Sequence, residues 1–341
     1  MISKTLLFPY YITLKIRHKL YDKGKKKTWS WDTPVICIGN VTAGGTGKTP
    51  MTEYIVRRYL DRGRVAVLSL GYKRKGRGFA IVKMEDSAEM VGDEPLQIKR
   101  KFPEAIVAVD KNRRRGIENL LALENKPDVI ILDDGFQRRE IVPSKNIFLV
   151  DYNRPIFKDE LIPLGHLRDL PEQIRRAGTV VVTKCPEYLD EWDRDKIRKL
   201  TRVKQDQDLY FAKIKYCQPK PVFEGCGDNR YVYSKSVYLF TGVANPRPLE
   251  EWLCGYYDHI THERFPDHHK YTSADIRKIR RYAEHNPLCM LLTTEKDAQR
   301  LKGCVNIPDW LKLRMFYLPV EVEFLSEEET VRFNQNIIEN N

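Results

Sequence analysis

The sequence lacks the features that mark secreted, disulfide-stabilised and membrane-spanning proteins. Its seven cysteines are an odd number and no two form a CxxC pair, which favours free thiols in a reducing cytoplasm over a disulfide framework or a zinc site. No uninterrupted apolar run reaches the roughly 18 residues that cross a bilayer, and no cleavable signal peptide is evident. Internal repeats and low-complexity tracts are also missing. We therefore expect a cytoplasmic globular protein of one large or two modest domains.

One sign of charge predominates. The chain has 59 lysines and arginines against 47 acidic residues, a formal net charge of +12. Such an excess favours anionic partners. Nucleic acid, an anionic membrane surface and a phosphorylated substrate all remain open at this point, as does an ordinary solvated basic surface.

The first 27 residues form a distinct segment. Apolar and aromatic residues between Leu6 and Ile16 precede a basic stretch from Arg17 to Lys27. Apolar groups that enter a lipid interface, next to cations that meet the headgroups, suit a membrane-surface segment. The alternative is a helix packed on the body of the protein. Because Pro9 interrupts helical periodicity early, we predict a membrane-interface segment over residues 1–27.

Residues 28–208 alternate short β-branched runs with longer helical stretches. Nearly all-apolar strands alternating with helices predict an α/β domain with a mostly parallel sheet covered by helices on both faces. The predicted strands are Val35–Ile38, Val65–Leu70, Ala105–Val109, Val129–Asp133, Ile147–Val150 and Val180–Thr183. The predicted helices are Pro50–Arg62, Glu94–Lys101, Arg114–Glu124 and Asp190–Val203.

The pattern changes near residue 209. Leu209–Tyr216 and Arg230–Tyr238 resemble two β segments around a turn region rich in proline and glycine. We predict a two-stranded β-hairpin linker over residues 209–236. Residues 237–341 then predict a smaller C-terminal α/β domain that contributes to the catalytic cleft. Its predicted elements are strands at Val237–Thr241, Met290–Thr293 and Leu313–Leu318, and helices at Pro246–Tyr257 and Ser273–Glu284.

A glycine-rich segment joins the first strand to the following helix. Its glycines allow successive N–H groups to face phosphate oxygens, the helix N-terminus adds its dipole, Lys48 adds a cation, and Thr49 offers a hydroxyl to Mg²⁺. Thr42 replaces the first glycine of the GxxxxGK[ST] pattern, but the GGTGKT core lies where a phosphate loop belongs. The predicted nucleotide-binding residues are Gly44, Gly45, Thr46, Gly47, Lys48 and Thr49. An ordinary βα turn is the alternative.

Two acidic residues follow another apolar strand. Asp133 and Asp134 come directly after Val129–Leu132. Ligands bind at the carboxyl ends of strands in open α/β sheets, where a carboxylate can hold Mg²⁺ directly or through water. Such a pair is often only a turn, but together with a phosphate loop it predicts a metal site.

Three classes of phosphate-loop protein fit these features: a switch or motor NTPase, a nucleic-acid-linked NTPase, and a kinase of a small molecule or lipid. Thr183-Lys184-Cys185-Pro186 is the closest match to the NKxD motif that reads guanine. Pro186 cannot accept hydrogen bonds from guanine, which disfavours a guanine switch. No helicase-like motif series or known nucleic-acid-binding module is present.

Seven separate motifs, in order, make the chain resemble the tetraacyldisaccharide 4′-kinases, which phosphorylate a lipid A precursor. The match runs over nearly the whole chain, and GNVTAGGTGKTP together with DDGFQ is specific to that family. The motifs are Gly39–Pro50, Gly71-Tyr72, Val91–Pro95, Leu132–Gln137, Leu164–Asp169, Phe265–His269 and Thr293–Ala298.

The resemblance implies that ATP donates its γ-phosphate to the 4′-hydroxyl of a tetraacyl glucosamine disaccharide 1-phosphate. The implied cofactors are ATP and Mg²⁺, and the partners are the acylated lipid and an anionic membrane surface, with no nucleic acid and no protein partner. The enzyme would lie peripherally on the cytoplasmic face of the inner membrane. The alternative is a phosphate-loop NTPase of another class that acts on, or is regulated by, nucleic acid.

The resemblance also implies catalytic roles. Lys48 would stabilise the transferring phosphate, and Asp93 would act as the base in a dyad with His268, which orients or tunes it. The metal site would comprise Thr49, Asp133 and Asp134, with Asp169 as a further acid. Many family members have glutamate at that last position, and many have arginine where this chain has Leu70. Two roles stay open: Arg113–Arg115 as a phosphate grip or a solvated helix start, and Thr294–Asp297 at the nucleotide or the domain interface.

Overall fold

The computed structural model describes residues 4–304 and 306–339, and side chains from residue 7 onward within those ranges. Residues 1–3 of the predicted N-terminal segment and residues 305, 340 and 341 of the predicted second domain lie outside the described residues. The strands are β1 Val35–Gly39, β2 Val65–Ser69, β3 Ala80–Ile81, β4 Ile106–Val109, β5 Val129–Asp133, β6 Lys145–Asp151, β7 Thr179–Thr183, β8 Asp208–Tyr216, β9 Lys220–Pro221, β10 Ser236–Thr241, β11 His259–Arg264, β12 Met290–Thr294, β13 Met315–Leu318 and β14 Val320–Phe324. The helices are α1 Lys4–Asp22, α2 Lys48–Leu60, α3 Ala88–Val91, α4 Asp93–Lys101, α5 Arg113–Leu121, α6 Glu191–Thr201, α7 Arg247–Leu253, α8 Ser273–His285, α9 Glu295–Leu301, α10 Asp309–Lys312 and α11 Glu327–Asn334.

The strands form two sheets. The larger has nine strands in the order β14-β8-β7-β6-β1-β5-β2-β4-β3, and the smaller has five in the order β11-β10-β12-β13-β9. Neighbouring strands from β8 to β4 run parallel, whereas β14 and β3 are antiparallel edges. This arrangement confirms the predicted α/β class with a mostly parallel large sheet and a smaller C-terminal α/β unit.

The centre of the large sheet positions the candidate site. Strands β1, β2, β5 and β7 are buried along their whole length, because helices cover both faces of the sheet. As β5 lies between β1 and β2, the carboxyl ends of these three strands meet at one edge. The phosphate loop follows β1 at this edge, and the acidic pair comes at the end of β5.

The predicted β-hairpin linker is wrong. Strand β8 covers the expected first segment but pairs in parallel with β7, and its other edge pairs antiparallel with β14. The expected second segment is instead a 3-10 turn at Asn229–Tyr233 followed by β10. Residues 209–212 are fully buried in the large sheet, so burial, and not proximity along the chain, selects the partner of β8. The chain therefore passes between the two sheets twice, once after β8 and once before β14. These two segments lie side by side, and the Cys217 N–H donates to the Pro319 carbonyl at 2.9 Å.

Helix α1 combines features of both interpretations of the N-terminal segment. Leu14 packs into the core of the large sheet and His18 is buried, whereas Phe8 and Ile16 are 62% and 54% exposed. The helix continues through Pro9, because packing along its buried face outweighs the local cost of the proline. Within residues 4–304 and 306–339, no helix has the length and apolar character required to span a bilayer.

Candidate active site

The phosphate loop has the backbone shape that its glycines predict. Gly44, Gly45 and Gly47 all have positive φ, at 76°, 48° and 83°, a region that only glycine adopts readily. Gly47 is the N-cap of helix α2, so the loop delivers its N–H groups to a helix N-terminus. Within the loop, the Asn40 side-chain amide donates to Thr46 Oγ1 at 2.6 Å. The geometry matches an anion-binding loop.

The missing first glycine has a local explanation. Thr42 forms an antiparallel bridge with Leu167, and the flanking Ala43 N–H donates to the His166 carbonyl at 2.7 Å. Residue 42 is therefore extended backbone in a short β pairing, which needs no glycine. The pairing brings the segment His166–Arg168 directly alongside the phosphate loop.

The acidic pair approaches the same loop because the backbone comes very close at Gly39. A Cβ atom on Gly39 would lie 2.5 Å from the Phe136 Cβ and 2.9 Å from its backbone nitrogen. Only glycine fits there, so β1 and the turn after β5 are in direct backbone contact. Asp134 in that turn lies 3.9 Å from the Lys48 ammonium.

Arg168 completes a charged triad with Lys48 and Asp134. Its guanidinium forms a two-pronged ion pair with Asp134, with Nη1 at 2.8 Å from Oδ2, and Nη2 donates to Asn40 Oδ1 at 2.6 Å. Burial raises the pKa of Asp134, but the charges of Lys48 and Arg168 outweigh it and hold that pKa below its ordinary value. Asp134 is therefore ionised and links two cations that surround the loop.

Asp133 has a different environment. It accepts hydrogen bonds from Thr52 Oγ1 at 3.3 Å and Ser69 Oγ at 3.2 Å. Burial, together with the negative charges of Glu94 and Asp134, raises its pKa to about 6. Hard oxygen donors are the ligands that Mg²⁺ prefers, usually from one or two carboxylates plus phosphate oxygens. Asp133 and Asp134 offer two such carboxylates, although the described residues bring no three acidic, histidine or cysteine side chains together as a metal site.

Asp169 does not join that group. Its Oδ1 atom lies 2.6 Å from His18 Nε2 and 2.8 Å from the Leu170 backbone nitrogen, and the residue is 1% exposed. Its carboxylate is therefore hydrogen-bonded to helix α1 and to its own backbone turn. The contacts of Asp169 are thus with helix α1, whereas the sequence resemblance implied a further acid of the metal site.

The predicted dyad forms across the two sheets. His268 Nδ1 lies 3.1 Å from Asp93 Oδ2, although the two residues are 175 positions apart. Gly92, and not Asp93, is the N-cap of helix α4. The Asp93 carboxylate does not cap the helix and can contact His268 instead. The neighbouring His269 contacts Asp275 instead, at 2.9 Å.

Arg300 is a third residue that contacts the Asp93–His268 dyad, and the sequence did not predict it. Its Nε and Nη2 atoms donate to Asp93 Oδ2 at 2.9 and 2.5 Å. Burial raises the pKa of Asp93, but hydrogen bonds from His268 and Arg300 and the charge of Arg300 lower it to about 2. All of these contacts are on Oδ2, and within residues 4–304 and 306–339 no hydrogen bond reaches Asp93 Oδ1. Ionised Asp93 is thus held with one oxygen available.

A second ion pair bridges the sheets next to the dyad. Lys296, at the start of α9, forms a short ion pair with Glu94. Its positive charge is the main cause that holds the pKa of Glu94 below its ordinary value, against the effect of burial. Of the Thr294–Asp297 motif, Lys296 thus reaches the cleft, while Asp297 pairs with Arg300 at 2.8 Å.

The three arginines after β4 contact the protein itself. Arg113 is 1% exposed and donates to the main-chain oxygens of Asp110 and Asp133, so it holds two strand ends in place. Arg115 pairs with Asp110 at 2.8 Å. Arg113 therefore positions the backbone at Asp133. No sequence motif predicted this contact.

The fold and this site define the class of protein: a phosphate-loop phosphotransferase with an acid–histidine dyad in a cleft between two α/β units. Residues 4–339 match the family model described as LpxK, tetraacyldisaccharide-1-P 4′-kinase. The chain is 44% identical over 331 residues to a tetraacyldisaccharide 4′-kinase of Parabacteroides distasonis, covering 94% of this chain and 89% of the relative. It is 38% identical to one of Flavobacterium johnsoniae, covering 96% of this chain and 95% of the relative.

A solved structure gives the same result. The fold is similar to the crystal structure of LpxK from Aquifex aeolicus in complex with ATP, with a TM-score of 0.71 and 27% identity, covering 96% of this chain and 97% of that chain. The chain belongs to the tetraacyldisaccharide 4′-kinase family. The resemblance noted in the sequence is confirmed, and the alternative of a nucleic-acid-linked NTPase finds no support.

Proposed function

We propose that this protein transfers the γ-phosphate of ATP to the 4′-hydroxyl of a tetraacyl glucosamine disaccharide 1-phosphate. The observation that supports this most is the Asp93–His268 contact of 3.1 Å, which joins a candidate base on the first unit to a histidine on the second. A bond forms between the 4′ oxygen and the γ-phosphorus, the bond from that phosphorus to the β–γ bridging oxygen breaks, ADP departs, and the hydroxyl proton passes to Asp93. The product is a bis-phosphorylated lipid A precursor.

The phosphates of ATP would lie on the loop from Gly44 to Thr49. Lys48 would contact the β- and γ-phosphates, and Arg168 would add a second cation opposite it. In keeping with that role, Arg168 Nε is buried and has no hydrogen-bond partner in the described part of the chain. Such an atom is costly to leave unpaired unless a ligand oxygen accepts from it.

Magnesium would be held by Thr49 Oγ1 and by one or both of Asp133 and Asp134, with Glu94 close by. When bound, it neutralises the charge on the phosphate oxygens. The protein's own contribution is to hold these oxygens in place. Ser69 and Thr52 fix the Asp133 carboxylate, and Arg168 fixes that of Asp134.

The acceptor hydroxyl would approach Asp93 Oδ1. A carboxylate with a pKa of about 2 is a weak base, but in a loose phosphoryl-transfer transition state the proton leaves late, when the attacking oxygen is already acidic. His268 and Arg300 keep Asp93 ionised and oriented. Because His268 and Arg300 come from the second unit and Asp93 from the first, opening of the cleft would dismantle the dyad.

The exposed face of helix α1 would meet the membrane that holds the lipid. Phe8 and Ile16 are exposed on it, and the basic residues 17–27 follow in the chain. Apolar side chains flanked by cations favour an anionic lipid surface. We place the protein peripherally at the cytoplasmic face of the inner membrane, where its acylated substrate resides.

The function is tested by ATP consumption with the tetraacyl disaccharide 1-phosphate in mixed micelles. Lys48→Ala should abolish lipid-dependent turnover while the protein stays folded. Lys126→Ala removes an exposed lysine near the start of β5, away from the loop, and should behave as wild type. Asp93→Ala should lower kcat by roughly 100-fold or more, with little change in ATP affinity. Near-normal turnover of Lys48→Ala would refute the phosphate-loop assignment, and that of Asp93→Ala would exclude it as the base.

A further inference from the structure

A buried hydrogen bond ties helix α1 to the loop that carries Arg168. His18 Nε2 lies 2.6 Å from Asp169 Oδ1, and the two residues are 4% and 1% exposed. Arg139 Nη1 lies 3.1 Å from His18 Nδ1. Because arginine only donates hydrogen bonds, the tautomer that satisfies both ring contacts has Nδ1 accepting from Arg139 and the Nε2–H donating to Asp169. This polar pair has no part in the mechanism above.

The other side of the same loop reaches the phosphate site. The Arg168 backbone N–H donates to the Val41 carbonyl at 2.8 Å, and its guanidinium contacts Asn40 and Asp134. Tyr10 on helix α1 donates its hydroxyl to the Arg168 carbonyl at 3.2 Å. The backbone at residue 168 is therefore held between the phosphate loop on one side and helix α1 on the other.

We propose that His18 is a positioning residue for the phosphate site: its bond to Asp169 fixes the backbone at Arg168, so that the guanidinium stays on Asp134 and Asn40. This inference rests on the proposed role of Arg168. Without the imidazole, the Asp169 carboxylate is buried without its donor and a cavity opens beneath the loop, which both favour a shifted loop. The helix that faces the lipid is thereby coupled to the nucleotide site.

The test is a double-mutant cycle on kcat/KM for ATP, measured with saturating lipid substrate. His18→Ala should lower kcat/KM about 10- to 100-fold in the wild-type background, because a displacement of about 1 Å at a catalytic group costs that much. In the Arg168→Ala background the same change should cost less than about twofold, since its effect passes through Arg168. His18→Gln should recover most of the loss, because its amide Nε2 can still donate to Asp169.

His262→Ala is the matched control. His262 lies on β11 of the second sheet, is largely buried, and is hydrogen-bonded to the carboxylate of Glu250. It should lower thermal stability and leave kcat/KM for ATP unchanged.

Wild-type kinetics of folded His18→Ala would overturn the inference. So would an equal fold-loss in both backgrounds, which would assign the effect to general loosening, or a failure of His18→Gln to recover activity. Unchanged turnover of Arg168→Ala alone would instead refute the proposed role of Arg168, on which the inference depends.

Discussion

Replacing Gly39 by alanine tests the backbone contact that holds the phosphate loop against the acidic turn. The added Cβ would lie 2.5 Å from the Phe136 Cβ, about 1 Å closer than ordinary van der Waals contact allows. Both partners are buried and the nearest atoms belong to the backbone and Cβ of residue 136, so no flexible side chain can give way. Overpacking of this kind typically costs about 1–3 kcal/mol of stability.

Gly39→Ala should lower kcat more severely than it lowers the free energy of unfolding. Asp134 is two residues before Phe136, and its contacts with Lys48 and Arg168 depend on the position of that turn. A displacement of about 1 Å can lower a catalytic rate roughly 100-fold. We expect Gly39→Ala to unfold at lower urea concentration than wild type and to lose about two orders of magnitude in kcat.

Gly178→Ala provides the control for this experiment. Gly178 precedes β7 in the same sheet, has no positive φ, and a Cβ there would meet no atom within 4 Å. Its substitution should leave both urea midpoint and kcat near wild type. If Gly39→Ala matched Gly178→Ala in both measurements, the close approach of β1 to the acidic turn would be refuted.

Two further predictions concern the dyad and the membrane. Arg300→Gln should raise the Asp93 pKa from about 2 by about 1–3 units, since it removes an adjacent positive charge. Because the wild-type pKa lies below its unfolded value, Asp93 contributes stability that is present above about pH 4 and lost as the pH falls toward 2. The variant lacks much of that contribution, so the difference in unfolding free energy from wild type should narrow by about 1 kcal/mol or more between pH 7 and pH 2; a constant difference would contradict this cause. Exchange of both Phe8 and Ile16 for aspartate should weaken partitioning onto anionic liposomes at least about tenfold, whereas the same exchange at Val331, exposed on α11, should not; equal partitioning of both variants would indicate that α1 only packs on the protein.

The sequence predicted most of the large sheet because its strands are short apolar runs between helices. The prediction for β5, Val129–Asp133, agrees residue for residue with the structure. The prediction of a hairpin linker was wrong because it paired β8 with the nearest β-like segment in the sequence. Its actual partner β14 begins at Val320, about a hundred residues later, and a local pattern carries no information about pairing at that distance.

The residues of the candidate site also fall into those that the sequence predicts and those that it does not. Lys48, Thr49 and the acidic pair were predictable because each lies in a short motif at the end of a strand. The Asp93–His268 contact came from family resemblance, since the residues are far apart in sequence. Arg300 and Lys296 had no such signal: an arginine or lysine on a helix is usually solvated, and only the approach of the two units sets these two beside Asp93 and Glu94.

The 4′-kinase activity is tested most directly by following the γ-phosphate itself. The protein is incubated with ATP labelled at the γ-phosphate, Mg²⁺ and the tetraacyl disaccharide 1-phosphate, and the lipid product is analysed by mass and by the position of its phosphates. We expect one labelled phosphate on the 4′ oxygen, and none in the Lys48→Ala reaction. Release of the label as inorganic phosphate, with an unmodified lipid, would contradict it.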